Sequence, residues 1–476
     1  MASFALNQIA GVDSSTGSTK VEVRDLDSGE VVSRGIVAHT PTTPPRSEQD
    51  PAMWWSAFEG AWQQAGAPSV AAISVAGQQH GMVALDEPGD VIRPAKLWND
   101  TECAPDAGWL LKQLPGGAAD WAAACGSVPV AAFTIAKLSW LHRSEPDNWQ
   151  RLAHVLLPHD WMTYQLTGAM FTDRGDASGT GYWSAATGEY CWDLLAIIDS
   201  GRDWTHVVPH VLGPFEPAGT WRDAVVAPGT GDNMAAALGL ALQPGDAVIS
   251  LGTSGTVYTV AEQPVADASG SIAGFADASG RFLPLACTLN ATRVTDAIAR
   301  LLGVDHGGLD ALALAAPLGA NGVTLLPYLD GERTPNRPKA TGVLAGLRSD
   351  ASREQVARAA VEGVVCGLLD GLDALRAQVP GIGRVVVTGG GAHSLAYRQI
   401  LADLCDLPVV CSDAEQAVAA GACVQAAVVL QEIDPATLAA RWGLGSHHEV
   451  ARSSSVTDDA AAVVRAAYAG LRDRMA

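Results

Sequence analysis

Two short Gly/Ser/Thr turns carry the residue types that hold phosphate. The first lies within residues 9–20, where Asp13-Ser14-Ser15-Thr16-Gly17-Ser18 separates two apolar runs; the second lies within residues 248–257, around Gly252-Thr253-Ser254-Gly255. Backbone N–H groups and hydroxyls in such a turn hydrogen-bond phosphate oxygens, and glycine lets the chain bend close to a ligand without a Cβ clash. A Walker A loop would read G-x-x-x-x-G-K-[ST] and open a helix. Here Thr19-Lys20-Val21-Glu22-Val23 and Thr256-Val257-Tyr258-Thr259-Val260 are rich in β-branched residues and read as strands, so both turns are expected to be hairpin turns. One such turn is ordinarily only a turn; two of similar make, one in each half of the chain, suggest a duplicated phosphate-binding device. Asp13, just before the first turn, is placed either to hold Mg²⁺ beside the β- and γ-phosphates or to form an ordinary Asx-turn. Lys20 either neutralises phosphate charge or sits solvated on its strand.

The elements that must position these turns follow from glycine, proline and hydrophobic periodicity. Asp50 caps and Pro51 opens a helix expected over 51–62. Residues 71–77 read as a buried strand that runs into Gln78-Gln79-His80-Gly81 and then a second apolar strand over 82–86. Polar side chains between two such strands sit at a sheet edge or a cleft. Residues 152–180 alternate helix-like and loop-like stretches, and 213–228 carry little periodic signal. Pro228-Gly229-Thr230-Gly231-Asp232-Asn233 leads into a helix over 234–242 with Asp232 or Asn233 as its cap, and Pro244-Gly245-Asp246 breaks the chain before the second hairpin. The domain junction is expected there, giving domains 1–244 and 245–476. Further on, 323–327 and 384–388 read as strands, the latter ending in Gly389-Gly390-Gly391, and 353–375 and 395–404 read as helices. Alternation of this kind implies an α/β architecture with central, largely parallel sheets and a ligand cleft between the halves.

Composition agrees with two globular domains. The 476 residues are 48% hydrophobic and 17% charged, more than one core of roughly 250 residues fills. A net charge of -21 argues against a nucleic-acid groove or an anionic membrane surface, both of which attract basic patches. The eight cysteines are scattered, with no C-x-x-C pair, and read as reduced thiols. Residues 1–6 lack a basic region followed by a long apolar stretch, so a cytoplasmic chain is expected. Residues 417–430 are apolar but short, rich in small residues and interrupted by Gln425, and read as a buried helix. The polar stretch 453–459 reads as a mobile loop before a final helix.

Several motifs together resemble the FGGY family of carbohydrate kinases, of the actin-like, ribonuclease-H-like ATPase superfamily. Gly342-Val343-Leu344-Ala345-Gly346-Leu347, then Gln355-Val356 and Ala359-Ala360-Val361-Glu362, fit its carboxy-terminal signature. Phe133-Thr134-Ile135-Ala136-Lys137-Leu138 resembles its amino-terminal signature, with Ala132 departing from the usual type. Ser47-Glu48-Gln49-Asp50-Pro51, Gly77-Gln78-Gln79-His80-Gly81, Leu97-Trp98-Asn99-Asp100 and 326–335 resemble the branch that phosphorylates D-xylulose. The Asn-Gln-Arg-Glu motif of glycerol kinases is missing. Gln79 stands where Met is frequent, and Gly17 where Gln or Ser is common.

The resemblance implies two actin-like domains, sugar and catalysis in the first and nucleotide in the second, with ATP and Mg²⁺ as cofactors and transfer of phosphate to the 5-hydroxyl of D-xylulose. Asp232 matches the family's catalytic Asp and becomes the expected base, its other reading being a helix cap; Asp13 becomes the metal ligand. Gln79, His80, Trp98, Asn99, Asp100 and Asn233 are the expected sugar ligands, with Asp100 alternatively bracing its loop. Ser14, Ser15, Thr16, Lys20, Gly252, Thr253, Ser254, Gly389, Gly390 and Gly391 are the expected ATP contacts. Glu332 and Arg333 are expected to pair with each other as a loop clamp, direct substrate contact being their other reading. A kinase for another ketose or polyol, such as ribulose, and a silent sugar- or nucleotide-binding regulator are the rivals. A homodimer is compatible with the family.

Overall fold

The computed structural model describes residues 7–475, so the reading made of residues 1–6 lies outside the described residues. Compactness divides the chain into two units. The first comprises Met1–Leu242, Glu262–Leu283 and Ala414–Gly445; the second comprises Gln243–Ala261, Pro284–Asp413 and Ser446–Ala476. The first crossing, at 242/243, lies beside the expected junction at 244/245, but two later segments return to the first unit, which a single cut does not provide for.

The first unit is built on one seven-stranded sheet. Strand β1 (Gln8–Ser14) turns through 15–17 into β2 (Ser18–Asp25), which pairs with β3 (Val31–Ala38). The intervening helix α1 (Pro51–Gln64) starts as expected: the Asp50 side chain accepts from Ala52 N–H at 3.0 Å, and Pro51 fills the first turn. It buries Trp54, Phe58, Ala61 and Trp62, one face at helical spacing, in the apolar core over the sheet. Strand β4 (Ala72–Gly77) then lies parallel to β1 and buried along its whole length. Residues 213–228, which carry no periodic signal, contain β5 (Gly219–Trp221) and β6 (Ala224–Val226), too short for a pattern; β6 extends the sheet parallel to β4. Strand β7 (Thr230–Gly231) also runs parallel to β4, and helix α2 (Asp232–Gly239) follows it directly. The residue capping α2 is Gly231, not Asp232 or Asn233, because the chain is still extended there and turns helical at Asp232.

The helix Ala417–Gln431 belongs to this unit and is buried on all sides over its middle, as its small-residue composition suggests. Glycines make the close approach possible. A Cβ on Gly421 would lie 2.6 Å from the Ala235 carbonyl carbon of α2, and one on Gly11 of β1 would lie 2.6 Å from the Cys423 nitrogen. Nothing local in 414–445 announces that partner, which is why the return was not expected. Among the described residues, no single helix is long and apolar enough to cross a membrane.

In the second unit, β8 (Asp246–Leu251) and β9 (Gly255–Thr259) form the second hairpin, with β10 (Phe282–Thr288) antiparallel to β9. The helix α3 (Thr292–Leu302) follows β10. Helix α4 (Arg353–Gln378) opens on a capping box, Ser352 accepting from Gln355 N–H while the Gln355 side chain accepts from Ser352 N–H. It precedes β11 (Arg384–Thr388), parallel to β8, and helix α5 (Leu395–Leu404) leads to β12 (Val409–Ser412), parallel to β11. Both sheets are mixed rather than largely parallel, because each phosphate-type turn is a hairpin and a three-residue connection forces its strands antiparallel. The polar stretch 453–459 is tied at one end: Ser453 N–H and Oγ donate to Asp403 at 2.8 and 3.1 Å. Thr457 caps the final helix, Asp458–Arg474.

Candidate active site

Three parallel strand ends meet in the first unit. Ser14 at the end of β1 and Gly231 at the end of β7 are both register partners of Gly77, the last residue of β4. The first hairpin turn, the polar loop 78–80 and Asp232 therefore emerge side by side at the carboxyl ends of neighbouring strands, where open α/β sheets place their ligands. A side chain at 231 has no room, since a Cβ there would lie 2.7 Å from the Gln79 Cγ.

Asp13 and Lys20 face each other across the hairpin, and Lys20 Nζ donates to Asp13 Oδ2 at 3.0 Å. Burial raises the Asp13 pKa, and the Lys20 charge opposes that rise. Its other oxygen, Oδ1, is buried with no hydrogen-bond partner. An unpaired buried carboxylate oxygen beside the first turn fits a divalent cation, which would supply the missing partner. Asp232 is pushed up to about 7, first by burial and then by the charges of Asp13 and Asp176, while Asn233 N–H, 2.8 Å from Oδ1, holds it lower. A partly accessible carboxylate poised near neutrality suits a general base. The acidic cluster Glu48, Asp100 and Glu102 also has metal-ligand spacing, but the fully buried Lys96 Nζ contacts all three at 2.7–3.1 Å and is its cation.

The expected sugar residues divide. Asn233 Nδ2 donates to Gln79 Oε1 and Asp232 Oδ1, both at 2.9 Å, while Gln79 Nε2 is buried with no partner. His80 takes a left-handed φ of 65°, accepts from Thr134 Oγ1 at its carbonyl, and places its ring 5.0 Å from Phe133 and 5.4 Å from Phe275. Trp98 and Asn99 are half-buried, and Asn99 Oδ1 has no partner. Asp100 is turned into the loop's own frame: Oδ2 accepts from Ser47 N–H and Lys96 Nζ, and Oδ1 from Glu102 N–H. Of its two readings, the brace is the one its contacts fit.

Around the first turn, Ser15 Oγ donates to Ser18 O at 3.1 Å, and Ser14 Oγ meets Thr19 Oγ1, itself 2.8 Å from His39 Nε2. Thr16 Oγ1 accepts from Trp98 Nε1 and donates to Gln78 Oε1. Its hydroxyl therefore faces the sugar loops.

Sequence reasoning missed a buried ionic group under the strand ends. His159 is fully buried; its Nδ1 lies 2.7 Å from Asp176 and its Nε2 3.1 Å from Asp160. Burial disfavours the imidazolium, but Asp160, Asp176 and Asp173 outweigh it and bring the pKa to about 9. Cβ atoms on Gly77 or Gly229 would lie 2.8 and 2.6 Å from His159, so the end of β4 and the residue before β7 both make room for it. The available signal was His159-Asp160 and Asp173…Asp176 set among apolar residues.

In the second unit, the Gly252–Ser254 turn and the Gly389–Gly391 turn follow the adjacent parallel strands β8 and β11, with Ser250 opposite Thr388. The first turn also receives the start of α3: Thr292 N–H donates to Gly252 O, and Ala291 N–H to Thr253 O. Gly389 has φ 89° and lies against Leu251, and a Cβ on Gly391 would lie 2.8 Å from the Leu251 Cβ; around Gly390 there is open space. The exposed Thr253, Gly389 and Gly390 form one accessible edge. Glu332 accepts from Leu289 N–H, Asn290 Nδ2 and Arg333 N–H, so its clamp closes on the 289–290 segment.

Comparison with known proteins gives the family of the chain. Residues 8–239 match the N-terminal domain and 247–430 the C-terminal domain of the FGGY family of carbohydrate kinases. The xylulose kinase of Streptomyces rubiginosus is 46% identical over 446 residues, covering 91% of this chain and 90% of that one. That of Escherichia coli (strain K12) is 35% identical, covering 83% and 84%. The crystal structure of xylulose kinase from Bifidobacterium adolescentis superposes with a TM-score of 0.86 at 40% identity, covering 98% of this chain and 99% of that one.

Proposed function

The chain belongs to the FGGY family of carbohydrate kinases, with that family's two-domain, actin-like and ribonuclease-H-like fold, and we propose that it phosphorylates D-xylulose at the 5-hydroxyl with ATP and Mg²⁺. It is a phosphotransferase. The observation that carries the reading is the placement of Asp13 and Asp232 on strand ends flanking Gly77, with the Asp232 carboxyl near neutrality. D-xylulose is favoured over other ketoses by the relatives named xylulose kinase.

In this reading Asp232 accepts the proton of the 5-hydroxyl as that oxygen bonds to the γ-phosphorus and the bond to the β,γ-bridging oxygen breaks, releasing ADP. Asp13 would hold Mg²⁺, which would supply charge neutralisation for the phosphates. Lys20 opposes the rise that burial imposes on the Asp13 pKa and adds positive charge beside the turn of Ser14, Ser15 and Thr16. Asn233 holds Gln79 and Asp232 in one frame, while Gln79 Nε2 and Asn99 Oδ1 offer unpaired polar atoms to sugar hydroxyls. His80 and Trp98 shape the pocket wall. Gly252, Thr253 and Ser254 receive phosphate, and the turn Gly389–Gly391 leaves the nucleotide room against the backbone.

ADP release with MgATP, followed across D-xylulose, D-ribulose, L-ribulose, glycerol and no sugar, tests the assignment. D-xylulose turns over fastest if it is right. Preference for another sugar keeps the kinase and removes the substrate.

A further inference from the structure

We propose that Thr16 couples the two substrates: its hydroxyl joins the phosphate hairpin to both sugar loops, so that sugar and nucleotide each strengthen the other's binding through it. The inference rests on the reading above and concerns how its two sites communicate.

With Gln78 Oε1 facing Thr16, the hydrogen bonds around the hydroxyl run in one direction. Trp98 Nε1 can only donate, and it does so to Thr16 Oγ1 at 2.9 Å; the single hydroxyl proton then goes to Gln78 Oε1 at 3.0 Å. The Thr16 carbonyl accepts from Gln49 Nε2 at 3.1 Å, and Gln49 Oε1 accepts from the buried indole of Trp54 at 2.9 Å. The tip of the hairpin is thus pinned to loop 97–100, to loop 78–80 and, through Gln49, to the core under α1. The hydroxyl proton is already placed, so a phosphate at this turn meets backbone N–H groups whose orientation these contacts set.

The consequence is energetic. Displacing Trp98 leaves the Thr16 oxygen without its donor, and displacing the hairpin leaves the indole N–H without its acceptor and Gln78 Oε1 without its donor. Loop and turn are therefore favoured in one joint arrangement. A sugar that orders Trp98 orders the phosphate turn, and by linkage the nucleotide returns the same factor to the sugar. Gln79, next to Gln78, carries the tie on to Asn233 and Asp232. A kinase so linked assembles its phosphate site fully only with an acceptor present, which limits transfer of phosphate to water.

The test is a binding cycle. The dissociation constant of the sugar is measured by calorimetry with and without a non-hydrolysable MgATP analogue, using whichever sugar of the panel above turns over fastest. A wrong substrate assignment is thereby registered by the turnover panel and not by the coupling factor. Wild type is expected to show tightening of about fivefold or more. Thr16→Val, which keeps the β-branched shape, and Trp98→Phe, which removes only the donor and part of the ring, both bring the factor close to one; Thr16→Ser restores it. A wild-type factor of one, or an unchanged factor in either Thr16→Val or Trp98→Phe, overturns the proposal.

Discussion

Asn233 Nδ2 donates to Gln79 Oε1 at 2.9 Å, and the same amide nitrogen lies 2.9 Å from Asp232 Oδ1. One side chain thus sets the spacing between the proposed base and the loop that follows β4. Asn233→Ala removes both bonds. With roughly 1 kcal/mol for each neutral bond, kcat/KM for the sugar is expected to fall about tenfold or more while KM for ATP changes less than threefold; steady-state kinetics in both substrates measure the split.

Burial and the charges of Asp13 and Asp176 push the Asp232 carboxyl up to about 7, so the folded state binds its proton more tightly than the unfolded chain. The ionised carboxylate therefore costs stability, progressively as pH rises from about 4 to about 7, and the cost is constant above that. Asp232→Asn is expected to abolish turnover yet raise stability by about 1–2 kcal/mol at pH 8, below the full shift because the carboxylate is partly accessible. At pH 4 the gain vanishes. Denaturant melts of both proteins at the two pH values decide it.

The three consecutive glycines of the second unit are not equivalent. Gly389 sits at φ 89° with Leu251 backbone atoms 2.8–3.0 Å from any added Cβ, whereas a Cβ on Gly390 meets nothing within 4 Å. Gly390→Ala should leave stability within about 0.5 kcal/mol of wild type. Gly389→Ala should cost about 1–3 kcal/mol and raise KM for ATP, since strain and clash act together on the turn. Thermal denaturation and ATP titrations measure both.

Asp100 holds Lys96, whose ammonium is fully buried and stands 3.9 Å from the centre of the Trp140 ring. Asp100→Ala leaves that charge with Glu48 and Glu102 only, and also removes the acceptor of two backbone N–H groups. A loss of about 3 kcal/mol or more of folding stability is expected. If Asp100 instead contacted sugar, KM would rise with stability nearly intact; chemical denaturation beside sugar titration separates the two.

Local chemistry made much of the architecture readable. The hairpins were legible because Gly, Ser and Thr interrupt β-branched runs, α1 because Asp50-Pro51 announces a helix start, and α4 because its apolar residues fall on one helical face. Features made by distant partners were not. His159 meets Asp176 across 17 residues and is accommodated by Gly77 and Gly229, which no window contains together. The return of 414–445 to the first unit depends on Gly421 fitting against Ala235, a match of surfaces rather than of pattern. Thr16 carried a phosphate-binding motif, yet only the fold reveals that its hydroxyl meets Trp98, 82 residues on.

The most direct test of the account is phosphorus NMR of the products formed from D-xylulose and MgATP, with wild type and Asp232→Asn run in parallel. The account predicts one new phosphomonoester, coupled to the 5-methylene protons and formed in step with ADP, by wild type alone. ADP appearing only with inorganic phosphate, an ester at another carbon, or equal product from Asp232→Asn would contradict it.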